Sequence, residues 1–106
     1  MAMDQLPRLQ RWFTEQSEAY QENDGAIRIS TTEGPGWSLA VDLEGTALEG
    51  KDFPEIEELP DEPRTSTLLT CWVERDIWLG FCDPTQLARL LDSFLNWANS
   101  AHTARR

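Results

Sequence analysis

The chain has 106 residues, of which 40% are hydrophobic, and a formal net charge of −10. This length fits one domain over residues 1–106, since domain sizes peak at about 100–150 residues. The acidity excludes proteins that bind nucleic acid or anionic membranes, because contacts with phosphate require Lys and Arg.

No targeting or membrane segment is expected. The N-terminal sequence MAMDQLPRLQ contains no basic stretch followed by an apolar one, and no run of 18 apolar residues occurs. We therefore expect a cytoplasmic protein. If Val73 pairs with Ile77, Cys71 and Cys82 lie on opposite faces of a sheet, which disfavours a disulfide. Two cysteines and one histidine are too few for a usual zinc site, so we expect no metal and no cofactor.

The first element is predicted to be a helix over residues 4–19. Asp4 is its predicted N-cap, and Pro7 falls in the first turn, where its missing N–H costs little. Apolar side chains recur at spacings of three and four, as on one face of a helix. These residues are Leu6, Leu9, Trp12 and Phe13.

A β-hairpin is predicted from Ala26 to Leu43. Ile27, Ile29 and Thr31 alternate with polar residues, and the alternation resumes at Trp37 after Gly-Pro-Gly. A period of two is typical of a strand with one face on a core, and Gly-Pro-Gly supplies the turn.

The next segment, Asp42 to Glu62, is strongly acidic. Lys51 is its single base. We interpret residues 46–48 as a short strand. We expect Phe53 and Ile56 to pin an irregular loop, because Pro54, Pro60 and, just after the segment, Pro63 oppose regular structure. The nine acids are Asp42, Glu44, Glu49, Asp52, Glu55, Glu57, Glu58, Asp61 and Glu62.

A second hairpin is predicted from residues 67–74 and 77–82, around the turn Glu74-Arg75-Asp76. Both parities are rich in apolar residues, so this hairpin is either central or covered on its outer face. With that turn, Trp72 and Trp78 share one face. They are either covered by a helix or form an exposed aromatic patch beside the acidic loops, which is the composition of a protein-binding surface. The residues predicted on the other face are Leu69, Cys71, Val73, Ile77, Leu79 and Phe81.

The last element is predicted to be a helix that opens at Asp83-Pro84, with Gln86 at the third position as in a capping box. Its apolar stripe runs from Leu87 to Ala101, and residues 102–106 are expected to fray. The predicted fold is α+β: an antiparallel sheet of about four to five strands, built on two hairpins and flanked by an N-terminal and a C-terminal helix.

Catalytic signals are weak. Cys82 lies just before a helix, where a thiolate is favoured, so a small thiol enzyme for sulfur transfer or redox chemistry is one hypothesis. No resolving cysteine or basic neighbour accompanies it, and a half-buried structural cysteine is the simpler interpretation. His102 lies in the predicted frayed tail. The acidic residues are interpreted as a solvated surface rather than as general acids and bases.

The ordered motifs of the chain resemble the immunity protein 53 family of bacterial polymorphic toxin systems. The matching set begins with Leu9 and Trp12-Phe13 and continues through Pro35-Gly36-Trp37 and Val41-Asp42-Leu43. Asp83-Pro84 and the stretch from Phe94 to Trp97 complete it, so the resemblance extends over about residues 5–98.

The resemblance implies a non-enzymatic inhibitor that binds the toxin encoded beside it, in the cytoplasm and without a cofactor. No catalytic residues are implied. Such a protein is expected to be a monomer or a small homo-oligomer, and a generic acidic protein-interaction domain is the other binding hypothesis. An acidic surface would steer a toxin with a basic cleft. The contact surface predicted from the residues comprises Asp42, Glu44, Glu55, Glu57, Glu58, Asp61, Glu62, Trp72 and Trp78.

Overall fold

A computed structural model describes residues 4–58 and 68–100. It contains a five-stranded antiparallel sheet with an N-terminal and a C-terminal helix, so the predicted α+β class is confirmed. The helices are α1 (Gln5–Glu15) and α2 (Leu87–Asn99), and the strands are β1 (Ile27–Thr32), β2 (Gly36–Asp42), β3 (Ile56–Glu58), β4 (Leu69–Glu74) and β5 (Ile77–Cys82).

The strands are ordered β1-β2-β5-β4-β3, so the two predicted hairpins meet along β2 and β5. The first hairpin has the predicted parity, with Ile29 opposite Leu39 on the face that carries the core. Leu39 is 1% exposed on the inner strand β2, whereas Ile29 is 40% exposed on the edge strand β1. On the core face of the first hairpin, the inner strand β2 is therefore more deeply buried than the edge strand β1, which stays partly exposed.

The predicted register of the second hairpin is wrong by one residue. Its turn contains only Arg75 and Asp76, both at positive φ (54° and 61°), so Val73 pairs with Trp78 instead of Ile77. A two-residue turn with two positive φ angles matches the twist of the flanking strands. Because side chains alternate, this change turns every side chain of β5 to the face opposite the predicted one.

The third strand also differs from the prediction. Residues 46–48 form turns rather than a strand, and the hydroxyl of Thr46 donates to the carbonyl of Leu43 at 2.7 Å. The additional strand is β3, only three residues long, which pairs Ile56 with Cys71. The predicted role of Phe53 is confirmed, since its ring packs edge-on against the rings of Trp78 and Trp97.

Both helices are shorter than predicted, α1 at its C-terminal end and α2 at its N-terminal end. Asp4 precedes α1 but its side chain makes no capping hydrogen bond, and α1 ends at Glu15 instead of residue 19. α2 begins at Leu87 rather than Pro84. The Asp83 carboxylate instead accepts from the backbone N–H and the hydroxyl of Thr85, which closes a tight turn before the helix.

The core lies between the sheet and the two helices. The ring of Phe94 on α2 contacts the rings of Trp12 on α1 and Trp78 on β5, with centroids 5.1 and 5.3 Å apart. Gly80 lets α2 approach the sheet, since a Cβ there would lie 2.5 Å from a methyl group of Leu90. Both helices therefore pack on one face of the sheet.

Candidate functional site

The face of the sheet opposite the helices is the candidate functional site. Trp78, Gly80 and Cys82 point from β5 toward the helices, so Ile77, Leu79 and Phe81 point the other way. Neither α1 nor α2 lies on this second face. We call it the open face. Its members, by strand parity, are Arg28, Ser30, Thr32, Gly36, Ser38, Ala40, Asp42, Glu57, Thr70, Trp72, Glu74, Ile77, Leu79 and Phe81.

An apolar stripe crosses the centre of the open face. Ile77, Leu79 and Phe81 follow one another along the central strand β5, and Trp72 lies beside them on β4, opposite Leu79. The Trp72 and Phe81 rings stack with centroids 5.7 Å apart and an interplanar angle of 27°. Phe81 is 37% exposed and the other three side chains are half-buried. The stripe therefore offers accessible apolar area in the middle of a rigid sheet.

Carboxylates surround this stripe. Asp42 on β2 and Glu74 on β4 both lie directly beside Ile77, one on each side. Glu57 lies on the edge strand β3, opposite Thr70. The Trp72 indole N–H donates to Oε1 of Glu74 at 3.0 Å, which links the aromatic pair to the acidic rim. An apolar centre with a charged rim is the usual composition of a protein-binding surface.

Asp42 is held in place by its neighbours. Its carboxylate accepts from the Asn23 side-chain amide at 2.7 Å and from the backbone N–H of Glu44 at 3.2 Å, and its carbonyl accepts from the Tyr20 hydroxyl. Burial, with a smaller contribution from the Asp42 charge, raises the pKa of Tyr20, so this hydroxyl stays protonated and keeps donating. These bonds fix the carboxylate at one end of the open face.

The remaining acids of the predicted surface are dispersed. Glu44 and Glu55 are exposed on loops, and Asp61 and Glu62 lie outside the described residues. Glu58 has the parity of the helix side and accepts two hydrogen bonds from the Arg89 guanidinium, at 2.8 and 2.9 Å. These hydrogen bonds lower the pKa of Glu58. Of the predicted residues, the open face brings together Asp42, Glu57 and Trp72.

Of the two alternatives for Trp78, burial beneath a helix is the one observed, so its predicted place in the contact surface is wrong. Its side chain is 0% exposed and packs against Phe53 and Phe94, because the two-residue turn directs it into the core. The same turn directs Ile77, Leu79 and Phe81 to the open face, where the sequence-based prediction did not place them. One sequence signal could have identified these three residues. Apolar side chains occur at both alternating sets of positions in this hairpin, so each face requires either a covering element or a binding partner.

The geometry gives no support to the thiol-enzyme hypothesis. Cys82 is 2% exposed, and burial and the neighbouring Asp83 charge raise its pKa, which disfavours the thiolate. Cys71 is 0% exposed, and burial raises its pKa to about 12. Both cysteines are free. They lie on the same face of the sheet, so the argument from opposite faces is wrong.

Residues 4–58 and 68–100 contain neither a metal-binding cluster nor a membrane-spanning helix. Within these ranges, no cluster of three or more His, Cys, Asp or Glu side chains could hold a metal ion. Neither α1 nor α2 is long and apolar enough to cross a membrane.

The structure is thus that of a small acidic α+β protein with one open sheet face. The family model of Immunity protein 53 matches residues 6–99, and the chain belongs to this family. The resemblance noted from its motifs is thereby confirmed. Comparisons with curated proteins and with solved structures return no match.

Proposed function

We propose that this protein binds the toxin of its own polymorphic toxin system in the cytoplasm and neutralises it by covering the active or substrate-binding surface, without catalysis. Membership of an immunity-protein family supports the proposal. The toxin is expected to be encoded by an adjacent gene, and no nucleic acid or membrane takes part in the binding.

The negative surface is the observation that carries this proposal. The segment from Asp42 to Glu62 contains nine acids and one base. That base, Lys51, is 8% exposed and donates to the carbonyl of Trp97, so its charge is directed away from the surface acids. Such an excess of acids over bases attracts a cationic protein over a Debye length of roughly 8–10 Å and raises the association rate.

Co-expression with the neighbouring toxin tests the proposal. The parent protein is expected to restore growth and to form a complex whose association rate falls as salt rises. The triple variant Glu44→Lys, Glu55→Lys, Glu57→Lys should associate at least about tenfold more slowly at low salt. A control triple variant makes the same charge change away from the segment, at the exposed residues Asp4, Glu15 and Glu33.

The control should associate faster than the test variant, because its reversed charges lie outside the acidic segment. Absence of both growth rescue and a complex with the parent protein would refute the proposed function. Equal association rates for the two triple variants would leave toxin binding intact and would refute the assignment of steering to the acidic segment.

A further inference from the structure

We propose that the toxin seats on the open face of the sheet, with the Trp72–Phe81 pair at the centre of the contact. This inference rests on the proposed function and names the surface that performs it. The partner chemistry it requires is a cationic protein surface: an apolar protrusion that covers the stripe, ringed by Lys or Arg side chains that meet Asp42, Glu57 and Glu74.

The aromatic pair has the properties of a binding hot spot. Hot spots are enriched in aromatic side chains near the centre of an interface and are surrounded by groups that exclude water. Trp72 and Phe81 lie on two adjacent inner strands, β4 and β5, and stack on each other, so their rings lose little conformational freedom when a partner binds. The indole N–H is already satisfied by Glu74, so covering the ring leaves no unpaired donor.

A second apolar surface lies on the helix side and is the rival site. It is an open groove of about 360 Å³ between α1 and β1, lined by Leu6, Leu9, Gln10, Phe13 and Ile27. Leu6 is 63% exposed and Phe13 is 41% exposed, so accessible apolar area alone does not separate the two surfaces.

Charge separates the two surfaces. The described residues that line the groove are uncharged, and the nearby Arg8 guanidinium on α1 is paired with the carboxylates of Asp4 and Asp92. The open face carries three acids and one base, Arg28, which lies on its edge strand. A cationic partner is therefore attracted at the open face and gains no comparable attraction at the groove.

The test compares matched double variants for binding to the toxin domain encoded by the adjacent gene. Trp72→Ala with Phe81→Ala removes the aromatic pair, and we expect about a 100-fold loss of affinity. Leu6→Ala with Phe13→Ala removes the most exposed apolar side chains of the groove, and we expect binding within about threefold of the parent.

A third variant, Ser38→Arg, keeps the apolar stripe and guards against a folding defect in the first double variant. Ser38 lies opposite Phe81 on the open face, so an arginine adds bulk and positive charge beside the aromatic pair. We expect at least about a tenfold loss of affinity, with an unchanged thermal midpoint, since like charges and steric obstruction oppose the partner.

The outcomes separate this inference from the proposed function. If the parent binds and both open-face variants bind equally well, the toxin seats elsewhere and the inference is wrong, while the function stands. Loss of binding in the groove variant alone would place the contact on the helix side and would also overturn the inference. If the parent itself does not bind the toxin, the proposed function fails and this inference fails with it.

Discussion

Replacing Lys51 by Met should destabilise the fold, even though Lys51 lies in the acidic segment. Its ammonium donates to the carbonyl of Trp97 at 2.7 Å, to the carbonyl of Ser100 at 3.1 Å and to the Ser100 hydroxyl at 2.9 Å. It also lies 5.4 Å from the centroid of the Trp97 ring. Lys51 therefore satisfies the last carbonyls of α2, where a cation is favoured by the helix dipole.

The expected loss of folding free energy depends on how many of these hydrogen bonds water can replace in the variant. Ser100 is exposed, so its carbonyl and hydroxyl can bond to water in the variant. The bond to Trp97 is buried, and a hydrogen bond to a charged group contributes about 1.5–3 kcal/mol, while the Trp97 carbonyl keeps its bonds from the N–H and hydroxyl of Ser100. The cost of burying the ammonium, which lowers the pKa of Lys51, offsets part of the dipole and cation–π gains. We therefore expect a net loss of about 2 kcal/mol, which is about 10 °C in Tm for a domain of this size.

Urea and thermal unfolding of the parent, Lys51→Met and a matched control will measure this loss. Arg11→Met is the control, because it removes the same charge from an exposed position on α1 and should change stability by less than about 0.5 kcal/mol. Equal stabilities of the two variants would show that Lys51 is an ordinary surface charge, contrary to the contacts described above.

Three further predictions concern the helix side of the sheet. Gly80→Ala should lose about 1–3 kcal/mol in urea unfolding, because its Cβ would lie 2.5 Å from Leu90; unchanged stability would contradict this packing. Burial alone raises the pKa of Asp83, but hydrogen bonds from Thr85 and the N–H of Leu68 lower it overall. The parent should therefore lose stability below about pH 4, where the unfolded state binds the proton first, and Asp83→Asn should lose less. For Cys71, whose pKa is raised to about 12, stability should fall as pH rises above about 8.5, and a Cys71→Ala variant that falls equally steeply would refute the assignment.

The alternation of polar and apolar residues predicts the orientation of a strand well where one of the two alternating sets of positions is clearly polar. In the first hairpin, Arg28 and Ser30 alternate with isoleucines, so the alternation determines which face meets the core, and the observed register agrees. In the second hairpin both alternating sets of positions are apolar, so the pattern does not determine the register. The register is determined by the length of the turn. Arg75-Asp76 lacks the Asn-Gly or Asp-Gly signature of a two-residue turn, and the prediction placed three residues there.

The remaining differences arise from contacts between residues distant in sequence. β3 has three residues, which is too short for a period of two to be recognised. Lys51 is the lone base of an acidic segment, and its burial depends on the end of α2, 46 residues away. Local sequence patterns were sufficient to predict the fold class. The composition of the open face needed the pairing of β4 with β5, which those patterns did not determine.

Because both helices pack on one side of the sheet, the residues required for folding are separate from the residues available for binding. The residues that keep the chain folded, such as Leu39, Phe94 and Trp78, lie in the interior and tolerate little change. Side chains on the opposite side are exposed or half-buried, and substitutions there cost little folding free energy. With the toxin seated on the open face, as we propose, such a protein can follow a diverging toxin by replacing one residue after another, while the framework beneath stays constant.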